Sequence, residues 1–325
     1  MSQVRRRQFL IATGALLAMR DVNSQPATGQ LPKVGVFHWG SADDGRVLAF
    51  RQSLRALGYV EGRSVVVDIR ATKTNYQVAA ELVVELIRNK PNVLVIYSTP
   101  ATRAAAQATT TIPIVSISAD PVANRLTANL ARPSENITGV SLVGPAADSK
   151  ALELLKEIMP RLRIVAFAWD PANSAITDRL HATEAAARKL DLVIERMEVR
   201  AASELENALQ LALGKRADAL FVPTAMATAY REQILSFVAR NRWPTMYADP
   251  ESADAGGLMA FGANLADLFR NAATYVDKIL KGARPTDLPI QQPTKFELVI
   301  NLKTAKALGI TIPQSILLRA DRVIE

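Results

Sequence analysis

From residue 31 onward the chain alternates short apolar runs with longer stretches whose apolar residues recur every three or four positions. Runs of the first kind read as strands and stretches of the second as amphipathic helices. Their alternation is the pattern of parallel sheets covered by helices. Residues 33–37 form a first strand in this reading. A helix over 46–57 follows, with Val47, Phe50, Leu54 and Leu57 on one face and Gly58 as its stop. Residues 65–69 and 77–89 repeat strand and helix, and 93–96 is apolar throughout, as strands buried on both faces are. A short helix over 102–108 and a strand over 112–117 complete the series.

The order then restarts. Strand, helix, strand and helix fall at 164–168, 175–190, 192–199 and 204–213, after which 218–222 answers 92–96 and 243–247 answers 112–116. First and third strands lie roughly 55 to 60 residues apart in both halves, the mark of an internal duplication. The expected fold class is therefore α/β, with two doubly wound parallel-sheet lobes joined by a multi-stranded hinge. The N-terminal lobe takes residues 31–139 and 263–283, because the helix over 265–280 covers the first half again. The C-terminal lobe takes 140–262 and 284–325, including a strand over 296–300 and a short helix over 302–308. Gly139 and Val140 mark the first crossing and Gly262 the second, giving a hinge that can close on a ligand.

Residues 1–24 stand apart. Arg5-Arg6-Arg7 precedes an apolar run from Ile11 to Met19, broken only by Thr13 and Gly14, the form of an export signal too short to anchor in a bilayer. Arg6-Arg7-Gln8-Phe9-Leu10 resembles a twin-arginine motif, and small residues at Val22 and Ser24 place cleavage before Gln25. The net charge is +8; the leader holds four arginines against one aspartate, so its removal leaves +5. The remaining basic residues are scattered among acids, which argues against nucleic acid as a partner. The absence of cysteine excludes disulfides, thiolate metal sites and a lipid-modified N-terminal cysteine. A soluble periplasmic monomer is expected.

Several stretches carry a resemblance. They include Leu57-Gly58-Tyr59-Val60-Glu61-Gly62, Thr99-Pro100-Ala101, Asp120-Pro121-Val122, Asn136-Ile137-Thr138-Gly139 and Gly256-Gly257-Leu258-Met259. Most distinctive is Gln292-Pro293-Thr294-Lys295-Phe296-Glu297-Leu298-Val299-Ile300-Asn301-Leu302. Together they resemble the ABC transporter substrate-binding proteins related to the tryptophan-binding type. The resemblance implies a periplasmic-binding-protein-like class I fold, no enzyme activity, and delivery of a small solute to a membrane permease with its ATPase. It also implies an aromatic amino acid or a related compound as ligand. The chain departs at its first loop, where His38-Trp39 replaces small residues and proline.

In open α/β sheets ligands sit beyond the carboxyl ends of strands, where helix N-termini present free N–H donors. Ser98 and Thr99 occupy such a position, with Thr99 as expected N-cap and Pro100 at the first helical position. Trp39 and Trp169 end the first strand of each half and are expected to enclose a planar ligand. Ser41, Asn173 and Thr224 hold related loop positions, and Asp120 and Asp249, each before proline, are candidates for a ligand ammonium. His38 falls beside the cleft and His181 on a solvated helix face, and neither has an identifiable catalytic partner. No nucleotide-loop, nucleophile-elbow or metal-protease motif occurs, so no cofactor, metal or catalytic residue is expected. A sensory ligand-binding protein and, less favoured, an exported α/β enzyme are the alternatives.

Overall fold

The computed structural model describes residues 30–73, 76–133, 136–142 and 146–325. The expected export leader and its cleavage site lie outside these residues. Strands β1 (Lys33–Trp39), β2 (Val66–Thr72), β3 (Val93–Tyr97), β4 (Ile114–Ser118) and β5 (Ile137–Ser141) form one sheet in the order β2-β1-β3-β4-β5. Every pair in it is parallel, the doubly wound order with a switch point between β1 and β3. Helices α1 (Gly45–Ala56), α2 (Tyr76–Arg88) and α3 (Thr99–Ala108) connect them.

After α4 (Ala147–Ile158) the second series runs β6 (Ile164–Trp169), α5 (Ser174–Arg188), β7 (Val193–Glu198), α6 (Leu205–Gly214), β8 (Ala219–Val222), α7 (Thr224–Arg240) and β9 (Thr245–Tyr247). A short α8 (Pro250–Asp254) leads to β10 (Met259–Gly262). Its sheet repeats the first order as β7-β6-β8-β9-β10, then adds β11 (Glu297–Asn301), antiparallel to β10, and β12 (Arg322–Ile324). α9 (Leu265–Leu280) buries Leu268, Phe269, Ala272 and Val276 in the first lobe's core. α10 (Leu302–Leu308) and α11 (Gln314–Leu317) cover the second lobe.

The duplication extends to single hydrogen bonds. The amide of Asn92 donates to Lys33 O and that of Leu94 to Pro113 O; in the second half Asp218 donates to Ile164 O and Leu220 to Pro244 O. Asn92 Oδ1 receives the amide of Lys33 just as Asp218 Oδ2 receives that of Ile164. Lys33 thus corresponds to Ile164 and Asn92 to Asp218.

The lobes divide slightly differently from the sequence reading. Gly139 and Val140 belong to β5 inside the first sheet, so the first crossing follows Ser141. Gly139 is glycine for packing rather than for bending: its φ is +136°, and an added Cβ would lie 2.1 Å from Ser116 O. Gly262 ends β10 in the second sheet under a similar constraint, with a Cβ 2.0 Å from Ala248 O. Residues 288–291 also stay with the first lobe. Thr138 Oγ1 donates to Leu288 O, Ile290 N to Leu130 O, and Ser141 N to Gln291 O. The third crossing therefore falls between Gln291 and β11, later than residue 284, because these backbone groups cap the open edge of β5.

Candidate functional site

A cavity of about 310 Å³ lies between the lobes, beyond the carboxyl ends of β1, β3, β6 and β8. Three helices point their N-termini at it. α3 contributes Ser98 and Thr99, α5 contributes Asn173 and Ile176, and α7 contributes Thr224 and Met226. Asn173 precedes α5 without capping it, and α7 follows Pro223, which has no side-chain acceptor. First-turn N–H groups are therefore left to face the cavity, an arrangement that favours negative charge.

The wall on the first lobe is aromatic. Trp39 packs edge-on to Tyr76, with ring centroids 5.3 Å apart, and its Nε1 donates to Ser98 Oγ at 3.0 Å. Ser98 is the N-cap of α3, accepting also from Ala101 N at 3.4 Å, and its φ of 110° is a conformation normally reserved for glycine. Thr99 is the first helical residue instead of the cap expected from sequence. Its Oγ1 accepts from Ala119 N at 3.2 Å, tying α3 to the loop after β4. Tyr97 lies beneath, fully enclosed, and burial raises its hydroxyl pKa. Tyr76 OH accepts from Asn173 Nδ2 at 3.2 Å, a hydrogen bond that joins the lobes across the cavity mouth. Asn173 Oδ1 is buried without a partner among the described residues.

From the second lobe come Asp170, Arg179, Arg200 and Tyr230. Asp170 Oδ1 accepts from Ala172 N at 2.9 Å, and burial pushes its carboxyl above the usual aspartate value despite that bond and the Arg200 charge. Arg179 is held by Asp148 through two bonds of 2.6 and 2.5 Å. Arg200 pairs with Glu198.

Of the residues singled out from sequence, Trp39, Ser98, Thr99, Asn173 and Thr224 line this cavity. The other four are placed elsewhere. Ser41 is exposed in the turn after β1, where its carbonyl accepts from Asp44 N. Asp120 caps its own turn, Oδ1 accepting from Val122 N and Ala123 N at 3.1 Å each. Asp249 is fully buried as the N-cap of α8, where it bonds Ser252 and Arg231; burial raises its pKa against the Arg231 charge. Trp169 is half-buried against the second lobe's core, its Nε1 unpartnered among the described residues.

The hydrogen-bond correspondence between halves explains the misplacement of Trp169. With Lys33 matched to Ile164, Trp39 corresponds to Asp170, and Trp169 corresponds to His38. Side chains alternate along a strand, so a shift of one residue moves each to the opposite face. His38, like Trp169, faces away from the cavity. It is buried, and burial followed by the Arg46 charge lowers its pKa to about 4. The neutral ring sits 3.1 Å from Ser41 O through Nε2, and Arg46 stacks over the Tyr97 ring at 5.5 Å. Asp170, Tyr76 and Tyr230 escaped the sequence reading. An Asp-Pro signal at 170–171, equal to those noted at 120 and 249, pointed to the first, whereas nothing in the sequence distinguishes the two tyrosines.

Comparison with known proteins agrees with this architecture. Residues 33–324 match the family model described as ABC transporter substrate binding protein. A tyrosine-binding protein from Clostridioides difficile (strain R20291) is 28% identical over 266 residues, covering 80% of this chain and 75% of that protein. The structure of an ABC domain in complex with L-Trp from Streptococcus pneumoniae superposes with a TM-score of 0.84 at 26% identity, over 91% of this chain and 100% of that one. A conserved domain protein from Vibrio cholerae O1 biovar eltor gives 0.84 at 27% identity, over 90% and 100%.

Proposed function

The chain belongs to the ABC transporter substrate-binding proteins, and on that premise we propose that its interlobe cavity holds an aromatic amino acid or a close relative for delivery to a permease. The observation that carries the reading is the division of the cavity's chemistry. One wall is aromatic (Trp39, Tyr76), the two uncapped helix N-termini of α5 and α7 supply N–H donors, and a single carboxylate, Asp170, stands without a lysine or arginine salt bridge among the described residues. A zwitterion with a flat side chain satisfies all three: its carboxylate takes helix N–H groups, its ammonium takes Asp170, and its ring stacks on the aromatic wall. Tyrosine and tryptophan, named for the relatives, are ligands of this kind.

The protein acts in this reading as a carrier that closes on its solute and releases it unchanged. Residues 1–24 direct export, by the twin-arginine route, and are cleaved before Gln25. The mature chain works as a monomer in the periplasm. Hinge closure brings Tyr76 and Asn173 together.

Calorimetric titration tests the ligand assignment with L-tryptophan, L-tyrosine and L-phenylalanine, each beside its decarboxylated and deaminated analogue. At least one parent compound is expected to bind in the micromolar range or tighter, and both analogues at least tenfold more weakly. Asp170→Asn should weaken the parent compound and leave the deaminated analogue unaffected. Equal loss for both, or heat from none of the nine compounds, would remove the assignment.

A further inference from the structure

Helix α7 is interrupted where it meets the cavity. Tyr230 has φ −135° and ψ 22°, which is not helical, although α7 contains neither proline nor glycine to break it. Both flanks of the break are anchored. Before it, Thr224 Oγ1 donates to Ala248 O at 3.2 Å; after it, Arg231 donates to Asp249 and Glu251 at 3.0 Å each and to Ser252 at 3.1 Å. In an unbroken helix, position 230 would continue the buried stripe of Ala227, Ile234 and Phe237. Tyr230 is instead only half-buried: its ring rests on that core and also lines the cavity. Departures of this kind collect at binding sites, where the surroundings hold them.

The Tyr230 hydroxyl makes no hydrogen bond among the described residues and stays accessible. The same is true of Asp170 Oδ2, whose companion Oδ1 accepts from Ala172 N at 2.9 Å. Tyr76 lines the same cavity, and its oxygen takes one hydrogen from Asn173 Nδ2, leaving a second lone pair. The three groups feel one another. Burial, and after it the Asp170 charge, raises the hydroxyl pKa of both Tyr76 and Tyr230, and Tyr230 raises that of Tyr76 further. Both phenols therefore stay neutral at neutral pH, with oxygens that can accept. One carboxylate oxygen and two phenol oxygens thus gather at one end of the cavity, and a primary ammonium offers three N–H donors. Asp170 cannot tell a primary ammonium from a methylated one, because the two carry the same charge. The phenol oxygens can: each N-methyl group removes a donor and leaves an acceptor unpaired.

We propose that Tyr230 is a specificity-determining residue, its oxygen joining those of Tyr76 and Asp170 to receive the three N–H groups of a primary ammonium. The inference rests on the cleft holding an amino acid. Free α-amino acids are admitted, and their N-methylated forms are turned away by the acceptors they leave unpaired. Asp170 reads the charge of the ligand, and the two tyrosines read its number of donors.

Calorimetric titration of the parent chain and of Tyr230→Phe provides the test, with weak binders read by displacement. L-Tryptophan, L-tyrosine and L-phenylalanine are the probes, each beside its Nα,Nα-dimethyl form. The parent should bind its best free amino acid at least about tenfold more tightly than the dimethylated one. Tyr230→Phe keeps the ring against the core and removes only the oxygen. It should weaken the free amino acid at least about fivefold and hold the dimethylated form within about twofold, so the preference shrinks. A parent that binds both forms equally, a variant that weakens both alike, or one that changes neither overturns the inference and leaves the amino-acid reading standing. If the parent binds none of the six compounds, that reading falls and the inference falls with it.

Discussion

Ser98 sets two effects against each other, and a pair of substitutions separates them. Its φ of 110° and ψ of 150° put it in a region open essentially to glycine alone, at a cost of about 1–3 kcal/mol. Its hydroxyl accepts from Trp39 Nε1 at 3.0 Å and from Ala101 N at 3.4 Å. Ser98→Ala removes both bonds and keeps the strained backbone. Leaving the indole N–H unpaired costs about 1–3 kcal/mol, and the lost cap adds to it. Ser98→Gly removes the same bonds but releases the strain, at about 0.4–1 kcal/mol for the extra freedom of the unfolded chain. Glycine should therefore be more stable than alanine here by about 1–2 kcal/mol, and within about 1 kcal/mol of the parent. Urea unfolding of the three proteins in one buffer measures this directly. Both variants should also bind ligand more weakly, since the Trp39 ring loses its tether. An alanine variant as stable as the glycine one would show that no strain resides at Ser98.

Other consequences can be checked with simple measurements. His38, with a pKa of about 4 against 6.5 when unfolded, resists protonation in the fold; stability should therefore decline by about 3 kcal/mol as pH falls from 6.5 to 4. In His38→Gln that component of the slope disappears, visible as a smaller difference between urea midpoints at pH 7 and pH 4.5. Gly139→Ala should cost at least about 3 kcal/mol, because Ser116 O blocks the new methyl group. Gly282→Ala, also at positive φ but in open space, should cost only about 1 kcal/mol, and thermal unfolding ranks the two. Tyr76→Phe removes the bond between lobes, worth about 0.5–1.5 kcal/mol, so ligand should bind roughly two- to tenfold more weakly, mainly through faster release. An unchanged dissociation rate would show that this bond does not hold the cleft shut.

Much of the architecture was legible because strands and helices bury faces of different period. The helix over 265–280 was read to the residue, since its apolar stripe runs unbroken from Leu265 to Ile279. α4 carries an equally plain stripe, Ala151, Leu154, Leu155 and Ile158, so it too is legible from its period. α7 was not readable in the same way, since its opening turns mix small and polar residues and the helix kinks at Tyr230.

The sequence by itself determined two α/β series, their duplication, and the strand ends where polar and aromatic residues gather. It could not determine which of those residues share a cavity. Residue type suggested matching tryptophan with tryptophan, whereas backbone pairing matches Trp39 with Asp170. Register is settled by hydrogen bonds between strands far apart in the chain, and neighbouring residues on one strand face opposite ways. The same holds for Tyr76 and Asn173, 97 residues apart, which meet only when the lobes do.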